Sequence, residues 1–326
     1  MRSLNVARLL LVGCIALPAF ASPWQPPNGQ TEIEIWPKAA PGGQVVNGPE
    51  KTEPGKSPVA GKPWTAITNV TRPTITLFYP TVENTGVTLV VFPGGGYRVL
   101  AIDLEGTEVC DWAVAKGITC VLLKYRVPYG TADHRSGPFP QASAALQDAQ
   151  RTMGLLRLNA KKWKINPRKI GVVGFSAGGH LAAAISTNYK KRVYSLVDAA
   201  DTESCRPDYA IPVYPGHMAK NYKVKLGLNP SLPVTSETPP TLLIHAKDDP
   251  VDPVGYSLLY SAELKRKKVP VEMHLFEDGG HAFGLRPTKF PITNWPSIAE
   301  AWLVKIGMIN RGSSRLRVEC AELEEC

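Results

Sequence analysis

Short apolar runs alternate with segments of helical spacing along most of the chain. Residues 87–92 (VTLVVF) form a nearly continuous apolar run, a pattern typical of strands buried on both faces. Strands are predicted at residues 31–36, 74–79, 87–92, 118–125, 169–174, 209–214, 241–245 and 271–276, the second of them as an edge strand. Helices are predicted at residues 105–116, 140–162, 176–188, 255–267 and 292–306. This alternation predicts an α/β fold with a mostly parallel central sheet and helices on both faces.

The domain organisation is simple. The chain has 326 residues, of which 44% are hydrophobic and 20% charged, so it is too apolar for a disordered protein. Residues 22–68 are rich in Pro, Gly, Gln and Lys and are predicted to form an extended N-terminal segment. Because neither an internal repeat nor a convincing linker follows, residues 69–309 are predicted to form one domain, with a tail over residues 310–326.

The N-terminus has the features of an export signal. Arg2 and Arg8 precede the apolar residues 9–17, and Ala19 and Ala21 form an A-x-A cleavage site. Residues 1–21 are therefore predicted to be a secretory signal peptide, which makes the protein secreted or periplasmic. A lipoprotein box ending at Cys14 is the alternative, but the apolar run before it is shorter than the roughly 7 residues that such a signal needs.

Charge and cysteine content limit the classes of partner. The net charge is +9, yet the longest basic run is residues 265–268 (KRKK), so nucleic-acid binding is not expected. After signal cleavage five cysteines remain, Cys110, Cys120, Cys205, Cys320 and Cys326. An exported protein can form disulfides, and the pairing stays open, with Cys320–Cys326 as one possibility. Since no cysteine pair has zinc spacing and the histidines are scattered, neither a metal nor a cofactor is expected.

A nucleophile motif lies at residues 174–178 (GFSAG). This is G-x-S-x-G, and it stands between the predicted strand 169–174 and an Ala-rich helix. Small residues on both sides allow Ser176 to occupy a sharp strand-to-helix turn, which exposes its hydroxyl group. The backbone N–H of Ala177 can then bind an oxyanion at the helix N-terminus.

A serine nucleophile needs a base, which His281 is best placed to supply. It follows the last predicted strand and two glycines, at the edge of the sheet where the sites of open α/β proteins lie. His180, His245 and His274 fall inside predicted helices or strands and are interpreted as structural. His134 and His217 lie on loops but precede the acid, whereas the usual chain order is Ser, acid, His.

The acid is expected in the segment HAKDDPVDP after the strand 241–245. Asp249 is preferred because a D-P-V-x-P turn presents its carboxylate toward the histidine loop, and Asp248 and Asp252 are the alternatives. Its carboxylate would accept a hydrogen bond from Nδ1–H of His281 and so set the imidazole tautomer.

A glycine loop follows the buried strand 87–92. Gly94, Gly95 and Gly96 come directly after Pro93, and glycines allow backbone N–H groups to approach a ligand closely. Residues 93–96 stand where an HGGG-type oxyanion loop would lie, with Pro93 in place of its histidine.

Together these segments resemble the bacterial secreted α/β-hydrolases of the esterase/lipase type, in particular the acetylxylan-esterase-like and feruloyl-esterase-like group. The resemblance covers roughly residues 70–305 and rests on VVFPGGGYRVLAIDLEG, VLLKYRVP, INPRKIGVVGFSAGGHLAA, HAKDDPVDP and DGGHAFGL. It implies that residues 69–309 are the catalytic domain, with Ser176 as nucleophile, Asp249 as acid and His281 as base. It also implies an oxyanion hole formed by Gly95 or Gly96 with Ala177. Pro93 departs from the family pattern and puts the hydrogen bonds that usually brace this loop in doubt.

The resemblance implies a serine carboxylic-ester hydrolase that works through an acyl-enzyme on acetyl esters of a plant polysaccharide such as xylan. Residues 126–140 and 215–240 would shape the acyl pocket. A serine peptidase or an acyltransferase would use the same triad, and a non-catalytic binding protein on this fold is a further alternative. A glycoside hydrolase would need two facing carboxylates, for which only Asp103 and Glu105 lie near the glycine loop. The oligomeric state stays open.

Overall fold

A computed structural model of the chain describes residues 24–42, 48–127, 138–220 and 227–310. The predicted signal peptide with Cys14, His134, the tail with Cys320 and Cys326, and parts of both predicted pocket segments lie outside the described residues. The strands are β1 (Glu32–Glu34), β2 (Lys51–Pro54), β3 (Thr65–Thr68), β4 (Thr74–Phe78), β5 (Thr88–Phe92), β6 (Val99–Ala101), β7 (Thr119–Lys124), β8 (Ile170–Phe175), β9 (Ala210–Val213), β10 (Ala219–Lys220), β11 (Gly227–Leu228), β12 (Thr241–Ala246) and β13 (Val271–Phe276). The helices are α1 (Glu108–Ala115), α2 (Ala144–Leu158), α3 (Ala177–Thr187), α4 (Gly255–Arg266) and α5 (Trp295–Lys305).

An eight-stranded sheet forms the centre of the molecule, in the order β1-β4-β7-β5-β8-β9-β12-β13. The strands from β7 to β13 in this order are parallel to one another, and β1 and β4 join antiparallel at one side. All residues of β5, β7, β8 and β9 are buried, as expected for parallel strands covered by helices on both faces. This confirms the predicted fold class.

The prediction that residues 74–79 form an edge strand is wrong. β4 is buried along its whole length and lies between β1 and β7. The three-residue strand β1 pairs with it antiparallel, from Glu32–Thr76 to Glu34–Thr74. The alternation of polar threonines in β4 therefore does not indicate exposure to solvent, since Thr74 and Thr76 are both buried.

The N-terminal segment contributes more regular structure than the one strand predicted for it. Besides β1 it supplies β2 and β3, which pair antiparallel with each other, and β3 pairs with β6. Trp36 donates a hydrogen bond from Nε1 to Asp148 of α2 at 2.8 Å, which fixes the segment to the domain core.

The helix predicted at residues 105–116 has two parts. A π-helical turn, Asp103–Thr107, comes first, and α1 then runs from Glu108 to Ala115. π-Turns are often found at functional sites, and this one carries the buried Glu105. A disulfide joins Cys110 of α1 to Cys120 of β7, while Cys205 is buried and unpaired.

The parallel arrangement brings five loops to one edge of the sheet. β5, β8, β9, β12 and β13 all end there, so the segments that follow them converge. These segments are residues 93–97, Ser176, residues 214–217, residues 247–253 and residues 277–283. Every residue predicted for the site lies in one of them or directly after one.

Candidate active site

Ser176 occupies a strained turn between β8 and α3. Its backbone angles are φ 52° and ψ −117°, a region that residues other than glycine rarely adopt. The flanking glycines are needed for close approach: a Cβ on Gly174 would lie 2.0 Å from the carbonyl oxygen of Gly178, and one on Gly178 would lie 2.0 Å from that of Phe92. The G-x-S-x-G spacing thus allows the turn that presents the serine.

A hydrogen-bonded chain links the serine to a histidine and an aspartate. Oγ of Ser176 lies 3.0 Å from Nε2 of His281, and Nδ1 of the same ring lies 2.7 Å from Oδ2 of Asp249. Ser176 and Asp249 are buried and His281 is half-buried. The structure therefore brings together the three side chains that the sequence singles out, within the distances that general-base activation of a hydroxyl requires.

Asp249 is held in its charged form. Burial acts to raise the pKa of its carboxyl group, but hydrogen bonds from His245 and His281, the charge of His281 and the backbone N–H of Asp252 outweigh it and lower the pKa. Oδ1 accepts hydrogen bonds from the N–H groups of Val251 and Asp252 at 2.8 and 2.9 Å. The carboxylate is thus fixed by one oxygen and presents the other to His281.

His281 is surrounded by negative charge. Burial acts to lower the pKa of its imidazole, but the hydrogen bond to Asp249 and the charges of Asp249, Asp252 and Glu105 reverse this and raise the pKa above its usual value. The ring of Tyr214 lies 4.9 Å from that of His281, centroid to centroid. The surroundings therefore favour the imidazolium ion, the form that a general base passes through during acyl transfer.

The glycine loop lies against the serine turn. A Cβ on Gly94 would lie 3.1 Å from Cβ of Ser176, and Gly95 and Gly96 adopt φ values of +128° and +64° that favour glycine. Within the described residues, no acceptor bonds the N–H of Gly95, Gly96 or Ala177. The N–H of Ala177 lies at the start of α3, and the loop that carries Gly95 and Gly96 contacts the serine turn through Gly94.

Buried side chains brace this loop in place of the histidine that Pro93 replaces. The hydroxyl of Tyr125 donates to the carbonyl oxygen of Pro93 at 2.6 Å. Oε2 of Glu105 accepts from the N–H of Gly94 at 2.7 Å, and Oε1 accepts from the hydroxyl of Tyr214 at 2.8 Å. Burial raises the pKa of Glu105, although the bonds from Tyr214 and Gly94 and the charge of His281 act to lower it. One hydrogen bond from Tyr125 and one to Glu105 therefore hold the loop where the family pattern has a histidine.

The remaining candidates have structural partners. Asp248 accepts from the N–H of Gly280 at 2.8 Å and so steadies the loop that carries His281. Both oxygens of Asp103 accept from the N–H of Thr65, at 2.8 and 2.9 Å, which leaves Asp103 engaged with backbone.

The three histidines that lie inside helices or strands each have at least one side-chain or backbone partner. Nδ1 of His180 lies 2.7 Å from Oη of Tyr97, and Nε2 of His274 lies 2.8 Å from Oε1 of Glu272. His245 is fully buried and contacts Ser257 through Nδ1 at 2.8 Å and the carbonyl oxygen of Asp252 through Nε2 at 2.9 Å. It also lies 3.3 Å from Asp249, so its structural role is to hold the acid loop.

Sequence reasoning missed Tyr125 and Tyr214, and it missed the contacts through which Glu105 and His245 support the site. Their contacts join segments far apart in the chain, and a single sequence carries no signal for such pairs. A π-turn rich in acidic residues after a glycine loop is the one local hint, and it points to Glu105 alone.

Among the described residues, no group of three or more His, Cys, Asp and Glu side chains is arranged to hold a metal ion. None of the helices in those ranges combines the length and apolar character needed to cross a membrane.

The chain has a mostly parallel sheet, a serine on a sharp turn after the central strand and a histidine beyond the last strand. Together these features define an α/β-hydrolase. Family models agree: one described as BD-FAE matches residues 77–215, and one described as the prolyl oligopeptidase family matches residues 148–306. The solved acetyl ester-xyloside bifunctional hydrolase from Caldicellulosiruptor lactoaceticus is 34% identical, with a TM-score of 0.63, over 74% of this chain and 90% of that chain. The chain belongs to the esterase-type α/β-hydrolases, a family of carboxylic ester hydrolases.

Two curated relatives match the chain over about 60% of its length. An acetylxylan esterase from Xylanibacter ruminicola is 28% identical over 217 residues, which is 61% of this chain and 41% of that protein. The endo-1,4-beta-xylanase B of Butyrivibrio fibrisolvens is 28% identical over 218 residues, 62% of this chain and 33% of that protein. The chain thus spans less than half the length of these two relatives. The similarities confirm the family resemblance drawn from the sequence motifs and the expectation of an ester hydrolase.

Proposed function

We propose that this protein is a serine carboxylic-ester hydrolase in which Ser176 is the nucleophile, His281 the general base and Asp249 the orienting acid. The observation that carries the proposal is the unbroken chain of contacts from Oγ of Ser176 to Nε2 of His281 at 3.0 Å and from Nδ1 to Asp249 at 2.7 Å. Its start on a strained serine turn is typical of a nucleophile held for attack.

Acyl transfer proceeds in two steps. His281 accepts the proton of Ser176 as Oγ attacks the ester carbonyl carbon, and the imidazolium then donates that proton to the departing alcohol. Water, deprotonated by His281, attacks the resulting acyl-enzyme, and Ser176 recovers its proton as the acid leaves. Asp249 keeps the Nδ1–H tautomer throughout and stabilises the imidazolium.

The tetrahedral oxyanion is stabilised by backbone donors. The N–H of Ala177, together with that of Gly95 or Gly96, is available in the free protein, and one such donor contributes about 10²–10³-fold to the rate in enzymes of this kind. Because these donors are backbone groups, the replacement of the usual loop histidine by Pro93 leaves them in place.

The preferred substrate is a short acyl ester, in particular an acetyl ester of a plant polysaccharide such as xylan. Two relatives carry names that support this, an acetylxylan esterase and an acetyl ester-xyloside hydrolase. Export through a signal peptide over residues 1–21, predicted from the sequence, would bring the enzyme to such a polymer outside the cytoplasm.

The test is hydrolysis of p-nitrophenyl acetate and p-nitrophenyl octanoate by the wild type and by Ser176→Ala. We expect acetate turnover that exceeds octanoate turnover and that falls to background in the variant. Acetylated xylan is the next substrate, with acetate release as the readout. A preference for octanoate would indicate a lipase-like pocket instead of acetyl specificity. If neither the wild type nor the variant hydrolyses either ester, the esterase assignment is overturned in favour of a non-catalytic binding protein.

A serine peptidase is the second candidate, because the prolyl oligopeptidase family model covers all three members of the triad within residues 148–306. Peptide p-nitroanilides with proline before the scissile bond separate the two activities. Ser176-dependent release of p-nitroaniline at a higher kcat/KM than acetate release would favour the peptidase.

A further inference from the structure

The carboxylate of Asp252 lies beside the serine hydroxyl, and the acyl-transfer steps above do not use it. Oδ2 of Asp252 is 3.3 Å from Oγ of Ser176 and 3.9 Å from Nε2 of His281. Its carboxylate is mostly buried, with 15% of the side chain exposed. Burial of a carboxylate is costly unless it has a partner, so its place next to the nucleophile calls for a function.

Asp252 is held in position through its backbone and through a neighbouring glycine. Its N–H donates to Oδ1 of Asp249 at 2.9 Å, and its carbonyl oxygen accepts from His245 at 2.9 Å. A Cβ on Gly216 would lie 2.8 and 2.9 Å from the two carboxylate oxygens, so the absence of a side chain there makes the space that the carboxylate occupies. The backbone of Asp252 is therefore fixed, and its carboxylate fills the space beside Gly216.

The serine has one proton and two acceptors for it. When His281 is neutral, the hydroxyl of Ser176 can donate to Nε2 of His281 or to Asp252, but not to both. Only the first arrangement prepares the attack. A hydroxyl group of the substrate that donates to Asp252 would satisfy this carboxylate and leave the serine proton to His281.

The surroundings of Asp252 are also polar. A protonated His217 would lower the pKa of the Asp252 carboxyl group, although burial lowers the pKa of His217 itself. The ring of His217 lies 5.7 Å from that of Tyr97 and 5.8 Å from that of His180. Tyr97 directly follows the glycine loop. Of these three residues only His217 is partly exposed, since Tyr97 and His180 are buried, so His217 adds one polar side chain near Asp252.

We propose that Asp252 is a specificity-determining residue that accepts a hydrogen bond from a hydroxyl group next to the scissile ester, so that the enzyme prefers partial esters of polyols and sugars. The inference rests on the proposed esterase function and adds to it the residue that recognises the alcohol part of the substrate. A hydrogen bond to a charged group discriminates by about tenfold or more against a ligand that lacks it.

The test compares 2-hydroxyethyl acetate with n-propyl acetate, which differ by a hydroxyl in place of a methyl group. In the wild type we expect kcat/KM to be about tenfold higher for the hydroxyl ester. Asp252→Ala is expected to reduce this ratio to near one, and Asp252→Asn, which keeps the shape and one acceptor, to give an intermediate ratio. Asp278→Asn, the same change at an exposed carboxylate on the loop before His281, is the matched control and should keep the wild-type ratio.

The ratio separates specificity from a general effect on catalysis. If Asp252 only supported folding or the charge of His281, its variants would slow both esters equally and the ratio would not change, which overturns the inference. A melting temperature for each variant checks that it is folded. If neither ester shows Ser176-dependent turnover in the wild type, the esterase function itself fails, and the inference with it.

Discussion

The two sides of Ser176 are built from different kinds of contact. On the acid side, residues 247–253 and His281 are held by hydrogen bonds between ionisable side chains, such as the 2.7 Å contact between His281 and Asp249. On the glycine side, residues 93–97 are held by bonds between backbone groups and buried side chains, as in the 2.7 Å contact from Gly94 to Glu105. The acid side therefore joins two groups that both titrate, whereas on the glycine side the ionisable Glu105 bonds to neutral donors.

One network joins the two sides. The hydroxyl of Tyr214 donates to Glu105 and accepts from the N–H of Gly284, on the loop after His281, at 3.2 Å. Glu105 thus contacts the oxyanion loop directly and the histidine loop through one tyrosine. Since its charge also raises the pKa of His281, the same carboxylate acts on both the geometry of one side and the electrostatics of the other.

The largest effect is expected from a break on the acid side, by Asp249→Asn. An amide opposite Nδ1 of His281 favours the wrong imidazole tautomer, so kcat should fall by about 10⁴-fold with little change in KM. Steady-state kinetics on p-nitrophenyl acetate measures it. Asp248→Asn is the matched control on the same loop, and its loss should stay below about tenfold because it removes only part of one hydrogen bond to backbone. A larger loss in Asp248→Asn than in Asp249→Asn would reassign the acid.

A break on the glycine side is expected to cost less. In Glu105→Gln the amide can accept with only one atom, so either Gly94 or Tyr214 faces a group that no longer accepts its proton. We expect kcat to fall by about 10–100-fold with KM nearly unchanged, because the donors of the oxyanion hole shift and the substrate contacts do not. Affinity for a boronic acid, which mimics the tetrahedral intermediate, should fall in parallel with kcat.

Asp103→Asn is the control for this variant, since Asp103 lies in the same π-turn and bonds to Thr65 and not to the glycine loop. Parallel losses in kcat and in thermal stability, with boronic acid affinity unchanged, would show that Glu105 supports only the fold. Hydrolysis of an aryl xyloside that depends on both Asp103 and Glu105 would instead revive the glycoside hydrolase alternative.

The sequence predicts features that neighbouring residues set, and it does not predict contacts between distant segments. Strand β13 falls at the predicted residues, and the serine turn was predicted because glycines, strand and helix lie together in sequence. The burial of β4 depends on pairing with β1, about 40 residues away, which no local pattern shows. Likewise the sequence offers Asp252 only as an alternative acid, because its contact with Ser176 depends on the loop conformation. The residues that brace the glycine loop could not be predicted for the same reason.

The smallest effect concerns pH. His281 is active as a base only when neutral, and its raised pKa keeps it protonated to a higher pH than an ordinary histidine. The acid limb of kcat/KM, which reports the free enzyme, should therefore lie above the ordinary value of 6.5. Asp252→Asn removes one of the charges that raise this pKa, whereas Asp249 and Glu105 remain, so the limb should move to lower pH without disappearing. Asp278→Asn, on an exposed carboxylate, should leave the limb in place, because solvent screens its charge. A limb that stayed in place in Asp252→Asn would mean that Asp252 does not bear a negative charge beside His281.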